Sequence, residues 1–312
     1  MPGLLAEIED AYRAAARADA GTKEQVVFAS LLISGGYFRH ARVVLEAIAE
    51  APPSAWWRWL IGRCDELIAG DELLDEVIAS GEARHRLRLP DGSTLLGSTN
   101  IMIARQPADL GKLVVVLGGT AARFPSSVNG AAVYRTGAAH LAFLRDVRSR
   151  PSVFSFLADV PGLGASYAAS LEAFRRMIAS LGAAEIYCVG HSLGGYAALR
   201  LGLDLDARAV LVTCPMTTLD PADFKGVLEP ERSAALQLAE VAPEQALDLA
   251  PLYRAAPRRP KVVITYGGNN AIDAAFACRM ADVPDVSLRP LAGSALHTTH
   301  GHEAILQELI GS

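Results

Sequence analysis

The sequence is short of the features that mark several classes of protein. Aromatic residues make up 6% of its 312 residues, and its four cysteines form neither C-x-x-C pairs nor a regularly spaced framework. The sequence therefore predicts thiols rather than disulfides, and no metal site. Cys188 and Cys214 fall inside apolar, strand-like runs, where a small thiol packs well, so we expect both to be core residues.

A long apolar run and a strong charge of one sign are also missing. No stretch stays apolar for about 18 residues, as a membrane span requires, and the first twenty residues are acidic and amphipathic. We therefore expect no membrane span and a cytoplasmic location. The formal net charge of −5 is spread along the chain, which argues against a nucleic-acid partner.

Residues 1–80 predict a helical N-terminal extension. Leu4, Ile8 and Tyr12 recur at helical spacing, and paired glycines and paired prolines then separate further helices. Residues 28–53 resemble a single tetratricopeptide repeat, whereas stable arrays normally contain at least three. Two interpretations stay open: a helical hairpin packed on the larger domain, or a module that binds a protein partner.

Residues 81–312 predict a second unit that mixes strands and helices. Alternating polarity around Asp91–Gly92 indicates an antiparallel hairpin, whose return run extends from Leu95 to Ala104. Apolar strands then alternate with helices, which predicts a parallel sheet with helices on both faces. Strands are predicted at 113–117, 153–157, 186–189, 209–214, 262–266 and 286–291. Helices are predicted at 131–147, which includes His140, and at 165–181, 221–256, 271–280 and 302–309.

The segment AEIYCVGHSLGG, residues 184–195, is the best clue to function. It is a β-prone run that turns through Gly190 to Gly194 into an Ala- and Leu-rich helix. Glycines two residues either side of Ser192 allow the sharp turn that exposes a serine hydroxyl to a base. We therefore interpret Ser192 as a nucleophile. His191 cannot readily be its base, because adjacent residues on a tight turn point apart.

The order of these parts resembles the α/β-hydrolase family. The chain begins this region with a hairpin, followed by a strand that ends in Gly118–Gly119. The GHSLGG turn comes on a later strand, and the acid and histidine candidates come after it. The resemblance covers about residues 82–312. It implies the α/β-hydrolase fold, a mostly parallel sheet flanked by helices, and catalysis by a serine, an acid and a histidine in that order, without a cofactor.

The resemblance implies positions for the base and the acid. The base falls in the loop before the last helix, where His297 comes first after a turn and is favoured over His300. The acid falls after the strand at 262–266, at Asp273, with Asp220 in reserve because some members take it from the preceding strand. Asp273 has a competing interpretation, since a carboxylate in the first turn of a helix is stabilised by the helix dipole.

Two further groups are expected around the serine. An oxyanion needs N–H donors, which we expect from the backbone of Leu193 and of Thr120 or Gly119, after the strand at 113–117. Arg123 lies close enough in sequence to meet a carboxylate or phosphate on the substrate, although such arginines are more often solvated loop charges.

Residues 216–260 form a long connection with helical periodicity. A lid over the site and a plain helical crossover are equally consistent with that pattern.

Together these features predict a serine hydrolase that cleaves a small-molecule carboxylic ester or thioester through an acyl-enzyme. An acyltransferase with the same three residues is a close variant. A protein-interaction scaffold that works through the N-terminal helices is an alternative of a different class.

Overall fold

In the computed structural model, the described residues are 2–17, 19–48, 60–62, 64–65, 67–69, 86–96, 101–104, 111–117, 139–144, 166–220, 223, 244, 247–297 and 302–311. The helices are α1 (Pro2–Ala15), α2 (Thr22–Gly35), α3 (Phe38–Ala47), α4 (Tyr167–Ser180), α5 (Leu193–Asp204), α6 (Leu249–Ala255), α7 (Ala271–Cys278) and α8 (His302–Gly311). The strands are β1 (Arg86–Arg88), β2 (Thr94–Leu96), β3 (Ile101–Ala104), β4 (Lys112–Leu117), β5 (His140–Leu144), β6 (Glu185–His191), β7 (Ala209–Thr213), β8 (Lys261–Gly267) and β9 (Val286–Leu291).

Seven of the described strands form one sheet, in the order β3-β5-β4-β6-β7-β8-β9. Strand β3 pairs antiparallel with β5, and the six others run parallel to one another. Because parallel strands present their carboxyl ends at one edge, the segments after β6, β7 and β8 come together there. The predicted α/β fold with a mostly parallel sheet is confirmed.

The predicted helix at 131–147 is wrong over residues 140–144. This segment is β5, which lies between β3 and β4 and is buried along its whole length, His140 included. A short strand buried on both faces shows no alternation of polarity, so its apolar run is not distinguishable from part of a buried helix. The predicted strand at 153–157 lies outside the described residues.

The predicted hairpin at Asp91–Gly92 is present, but its return run is divided. Strands β1 and β2 form a separate two-stranded antiparallel sheet. The end of the return run, β3, joins the large sheet instead. The turn chemistry indicated the hairpin correctly, whereas the sequence carried no signal for the change of sheet within one apolar run.

Alternate residues of β4 contribute to two different cores. Leu113, Val115 and Leu117 pack in a cluster with helices α4 to α7. Val114 and Val116 belong to a second cluster that includes α1 to α3 and α8. The N-terminal helices and the sheet thus share one set of buried apolar side chains, and each face of the sheet is covered by helices.

Helix α2 ends where the paired glycines predict, and α1 contacts the hairpin turn. The predicted break at the paired prolines lies outside the described residues. Helix α2 stops at the paired glycines, where Gly36 adopts a left-handed φ of 85° that favours glycine, and Tyr37 N–H bonds the Leu32 carbonyl at 2.8 Å. The Tyr12 hydroxyl donates to Asp91 at 2.7 Å, which ties α1 to the hairpin turn. The boundary at residue 80 stays a prediction, because residues 70–85 lie outside the described part of the chain.

The two ends of the long insertion, near residues 218 and 248, lie next to each other. Thr218 and Asp248 form an isolated antiparallel bridge, and the Tyr196 hydroxyl bonds both the N–H and the carbonyl of Leu247. Helix α6 continues from this point. Most of residues 221–246, on which the lid interpretation rests, lie outside the described residues.

No helix among the described residues combines the length and the apolar character needed to cross a bilayer.

Candidate active site

Ser192 stands on a strained turn between β6 and α5. Its φ of 54° and ψ of −119° fall in a region that non-glycine residues rarely adopt, at a cost of about 1–3 kcal/mol. The Ser192 N–H donates to the Thr213 carbonyl at 3.0 Å, and the Ser192 carbonyl accepts from the Gly195 N–H at 2.9 Å. The Ser192 side chain occupies the N-cap position of α5 without making a capping hydrogen bond, so the hydroxyl is not used to begin the helix.

Gly190 in the turn and Gly195 at the start of α5 are both required by close approaches of neighbouring segments. A Cβ added to Gly190 would lie 2.2 Å from the carbonyl oxygen of Gly194, and one added to Gly195 would lie 2.8 Å from the side chain of Pro215. Helix α5 therefore packs directly onto the end of β6 and onto the segment after β7. The local sequence forces the serine to the carboxyl edge of the sheet.

Asp273 and His297 form a hydrogen-bonded pair. The distance from His297 Nδ1 to Asp273 Oδ1 is 2.7 Å. Asp273 lies in the first turn of α7 and is buried, whereas the His297 side chain is 40% exposed. A buried carboxylate that accepts from Nδ1–H fixes the tautomer of the ring and leaves Nε2 as an acceptor. Asp273 therefore occupies a helix first turn and also pairs with the favoured histidine.

The pair is held by bonds between the turn after β8 and the loop after β9. The Asn269 N–H donates to the Ser294 carbonyl at 2.8 Å, and the Asn270 amide donates to the Ala295 carbonyl at 3.4 Å. The Asn270 side chain also caps α7 by accepting from the Asp273 N–H at 3.2 Å. Gly267 permits the approach, because a Cβ there would lie 2.9 Å from the Ser294 carbonyl oxygen.

Asn270 and His191 lie at this site in positions that the sequence did not indicate. Asn270 is recognisable afterwards as an N-cap signal before an apolar helix. The ring centroids of His191 and His297 are 5.0 Å apart, which places the residue before the serine against the candidate base. No local pattern indicates that contact, since the two residues are brought together only by the sheet.

Of the other predicted site residues, the structure describes Leu193 and Asp220. Leu193 is the first residue of α5 and is buried, and N–H groups of a first helical turn have no partner within the helix. Asp220 is exposed, and its N–H bonds the Thr218 hydroxyl at 3.1 Å. The carboxylate that pairs with His297 is that of Asp273. Gly119, Thr120, Arg123 and His300 lie outside the described residues.

A model of the alpha/beta hydrolase family matches residues 113–300, more than half of the chain. The chain belongs to the alpha/beta hydrolase family. A comparison with curated proteins finds no match. The match includes Ser192, Asp273 and His297, and it begins at the strand β4 that precedes the predicted oxyanion turn.

Several solved structures are similar to this chain at low sequence identity. The capsule O-acetyltransferase of Neisseria meningitidis serogroup A aligns with a TM-score of 0.50 and 13% identity over 71% of this chain and 95% of its own. An alpha/beta hydrolase enzyme from a Mar Chica lagoon metagenome aligns at 15% identity, with a TM-score of 0.45 over 69% and 94%. Carboxyl esterase 2 of the fungus Tuber melanosporum aligns at 18%, with a TM-score of 0.44 over 75% and 81%.

We expect the burial of His191 to make the stability of this alpha/beta hydrolase depend on pH. Burial lowers the pKa of His191 from 6.5 to about 4, with a smaller effect of the neighbouring His297 charge, opposed by the Asp273 carboxylate and by a hydrogen bond to the His297 backbone. Below pH 6.5 the unfolded chain binds a proton at this position and the folded chain does not, so stability falls as the pH is lowered towards 4.

When the pH is lowered from 7 to 4, we therefore expect the free energy of unfolding of the wild type to fall by up to about 3 kcal/mol more than that of His191→Asn. Urea unfolding of both proteins at several pH values measures this difference. Equal slopes of stability against pH in the two proteins would show that His191 is not held neutral by the fold.

Proposed function

We propose that this chain is a serine hydrolase that cleaves a carboxylic ester or thioester through an acyl-enzyme. The observation that carries the proposal is the 2.7 Å His297–Asp273 pair, together with the strained backbone of Ser192. Ser192 directly follows His191, whose ring centroid lies 5.0 Å from that of His297. Strained backbone at a position that is not glycine persists where the surroundings enforce it, and such positions cluster at functional sites. The proposed nucleophile, acid and base follow one another along the chain in the order of the family.

The reaction divides into two steps at Ser192. The hydroxyl oxygen attacks the carbonyl carbon while Nε2 of His297 takes its proton, and the protonated ring then gives that proton to the departing alkoxide or thiolate. A water molecule next attacks the acyl carbon, His297 takes one of its protons, and that proton returns to Ser192 as the acid departs. Asp273 holds Nδ1–H throughout and stabilises the imidazolium formed in each step.

The charge on the carbonyl oxygen is stabilised by N–H donors. The backbone N–H of Leu193 is one proposed donor, because it opens α5, where the positive end of the helix dipole lies. Thr120 or Gly119 is proposed for the second, and Arg123 for a contact to an anionic part of the substrate. We propose Asp220 and His300 only as reserve partners for the acid and the base.

Hydrolysis of short-chain p-nitrophenyl esters tests this function. Ser192→Ala is expected to lower kcat/KM by about 10³-fold or more, because it removes the nucleophile. Ser166→Ala is the matched control, since Ser166 caps α4, and we expect it to leave the rate within about twofold. Equal rates for Ser192→Ala and the wild type would exclude the acyl-enzyme.

The same assay separates hydrolysis from acyl transfer. Both reactions pass through the acyl-enzyme, and they differ in whether water or an alcohol takes the acyl group. Mass spectrometry of the products in the presence of simple alcohols gives the ratio of acid to new ester. We expect the acid to dominate for a hydrolase, and an excess of ester at millimolar alcohol would identify an acyltransferase.

A further inference from the structure

The thiol of Cys214 lies beside the Asp273–His297 pair, and the proposed reaction does not use it. One ring nitrogen of His297, the Cys214 sulfur and a carboxylate oxygen of Asp273 lie within 4.8 Å of one another. Cys214 is buried and directly follows β7, with a left-handed φ of 43° that non-glycine residues seldom adopt. The Cys214 N–H donates to the Thr265 carbonyl at 2.8 Å, which fixes the backbone next to β8.

The second carboxylate oxygen of Asp273 is a buried acceptor that receives no hydrogen bond from the described residues. Asp273 is 3% exposed, and its Oδ2 atom is buried with no hydrogen-bond partner among the described residues. A buried acceptor without a partner costs about 1–3 kcal/mol, more when it is charged, and calls for an explanation. A cation held between the carboxylate and the thiolate would satisfy this oxygen.

We propose that Cys214, Asp273 and His297 form a site for a thiophilic divalent cation such as Zn²⁺, and that the bound ion inhibits ester or thioester cleavage at Ser192. The inhibition rests on the function proposed above, whereas the metal site does not. Sulfur, imidazole nitrogen and carboxylate oxygen are the ligands that zinc takes, with water completing a tetrahedron. Its bond lengths place ligand atoms about 3.3–3.6 Å apart. Binding the ion would lengthen the 2.7 Å distance between His297 Nδ1 and Asp273 Oδ1. Side-chain movement would shorten any distance between ligand atoms that is longer than this range, up to the present limit of 4.8 Å.

The ion and the base compete for His297. Binding the ion releases the Cys214 thiol proton to solvent, and the neutral imidazole keeps one proton on the nitrogen that does not bind metal. If Nδ1 binds the ion, Nε2 carries that proton, and if Nε2 binds the ion, its lone pair is used. In either case Nε2 cannot accept the proton of Ser192. The His297 side chain is 40% exposed, so an ion from solvent can reach its ring.

Titration with Cd²⁺ tests the site without any assay of activity. The wild type is expected to show a thiolate-to-cadmium charge-transfer band that saturates at one equivalent. Cys214→Ser is expected to lose the band, and Asp273→Asn to weaken binding at least tenfold. Cys278→Ser is the control, because Cys278 is exposed at the end of α7, and it should keep the band. No band in the wild type, or a band kept in Cys214→Ser, would overturn the site.

The effect of Zn²⁺ on labelling by a fluorophosphonate tests the inhibition. Each protein is compared with its own rate in the presence of a chelator. One equivalent of Zn²⁺ is expected to slow labelling at least tenfold in the wild type and in Cys278→Ser, and less than twofold in Cys214→Ser. Equal slowing in all three would overturn the inhibition. A cadmium band in a wild type that is never labelled would keep the metal site and reject the proposed function.

Discussion

Asparagine in place of Asp273 is expected to lower kcat/KM for ester hydrolysis by about 10³–10⁴-fold. The carboxylate accepts from Nδ1 of His297 at 2.7 Å, and an amide can present its NH₂ to that nitrogen instead. The ring would then carry its proton on Nε2, where it cannot take the proton of Ser192. The helix cap at Asn270 would survive, because it contacts the backbone of Asp273 and not its side chain.

Asp220→Asn is the matched control for this experiment, because it changes the other candidate acid in the same way. Asp220 is exposed and follows β7, and we expect its variant to keep activity within about twofold. Steady-state kinetics on p-nitrophenyl esters, with circular dichroism to verify folding, compare the three proteins. A large loss in Asp220→Asn with little change in Asp273→Asn would reverse the assignment of the acid.

Gly190→Ala is expected to have the largest effect on stability, by more than about 4 kcal/mol, and to leave little soluble protein. The new Cβ would lie 2.2 Å from the carbonyl oxygen of Gly194, 2.6 Å from its carbonyl carbon and 2.8 Å from the Cβ of Ala198. Two of these three atoms are backbone, so no rotation of a side chain relieves the overlap. Helix α5 would have to move away from β6, and Ser192 with it.

Gly62→Ala provides a control within the same chain. Gly62 is helical, and a Cβ there meets nothing within 4 Å, so the change is expected to be neutral or to stabilise by up to about 1 kcal/mol. Thermal or urea unfolding of both variants measures the difference. A Gly190→Ala protein as stable as the wild type would contradict the packing of α5 on β6.

The turn at Ser192 could be predicted from sequence because its determinants are local. The serine follows a β-prone run, has glycines at fixed offsets on either side and precedes a helical run. Together these features predict a strand, a sharp turn at the serine and a helix. The strands β4, β7 and β8 were predictable for a similar reason, since each is a short, mostly apolar run, whereas β9 alternates apolar and polar residues. Strand β5 was not, because its neighbours in the sheet, β3 and β4, precede it in sequence and only their pairing distinguishes it from a helix.

The surroundings of His297 could not be predicted from sequence for a different reason. His191, Cys214 and Asp273 reach it from the ends of β6, β7 and β8, and each belongs to a segment with an adequate local explanation. His191 was consistent with a turn residue and Cys214 with a small core residue. Their nearness to the candidate base follows from the order of strands in the sheet, which the sequence indicates only through the family.

Labelling by a fluorophosphonate, with the modified peptide identified by mass spectrometry, tests most directly whether Ser192 is an activated nucleophile. Activation of Ser192 by His297 predicts one adduct per chain, located on Ser192, that is absent in Ser192→Ala and forms at least 100-fold more slowly in His297→Ala. A folded wild type that takes no label, or a label on another residue, would contradict it and favour a scaffold that works through the N-terminal helices.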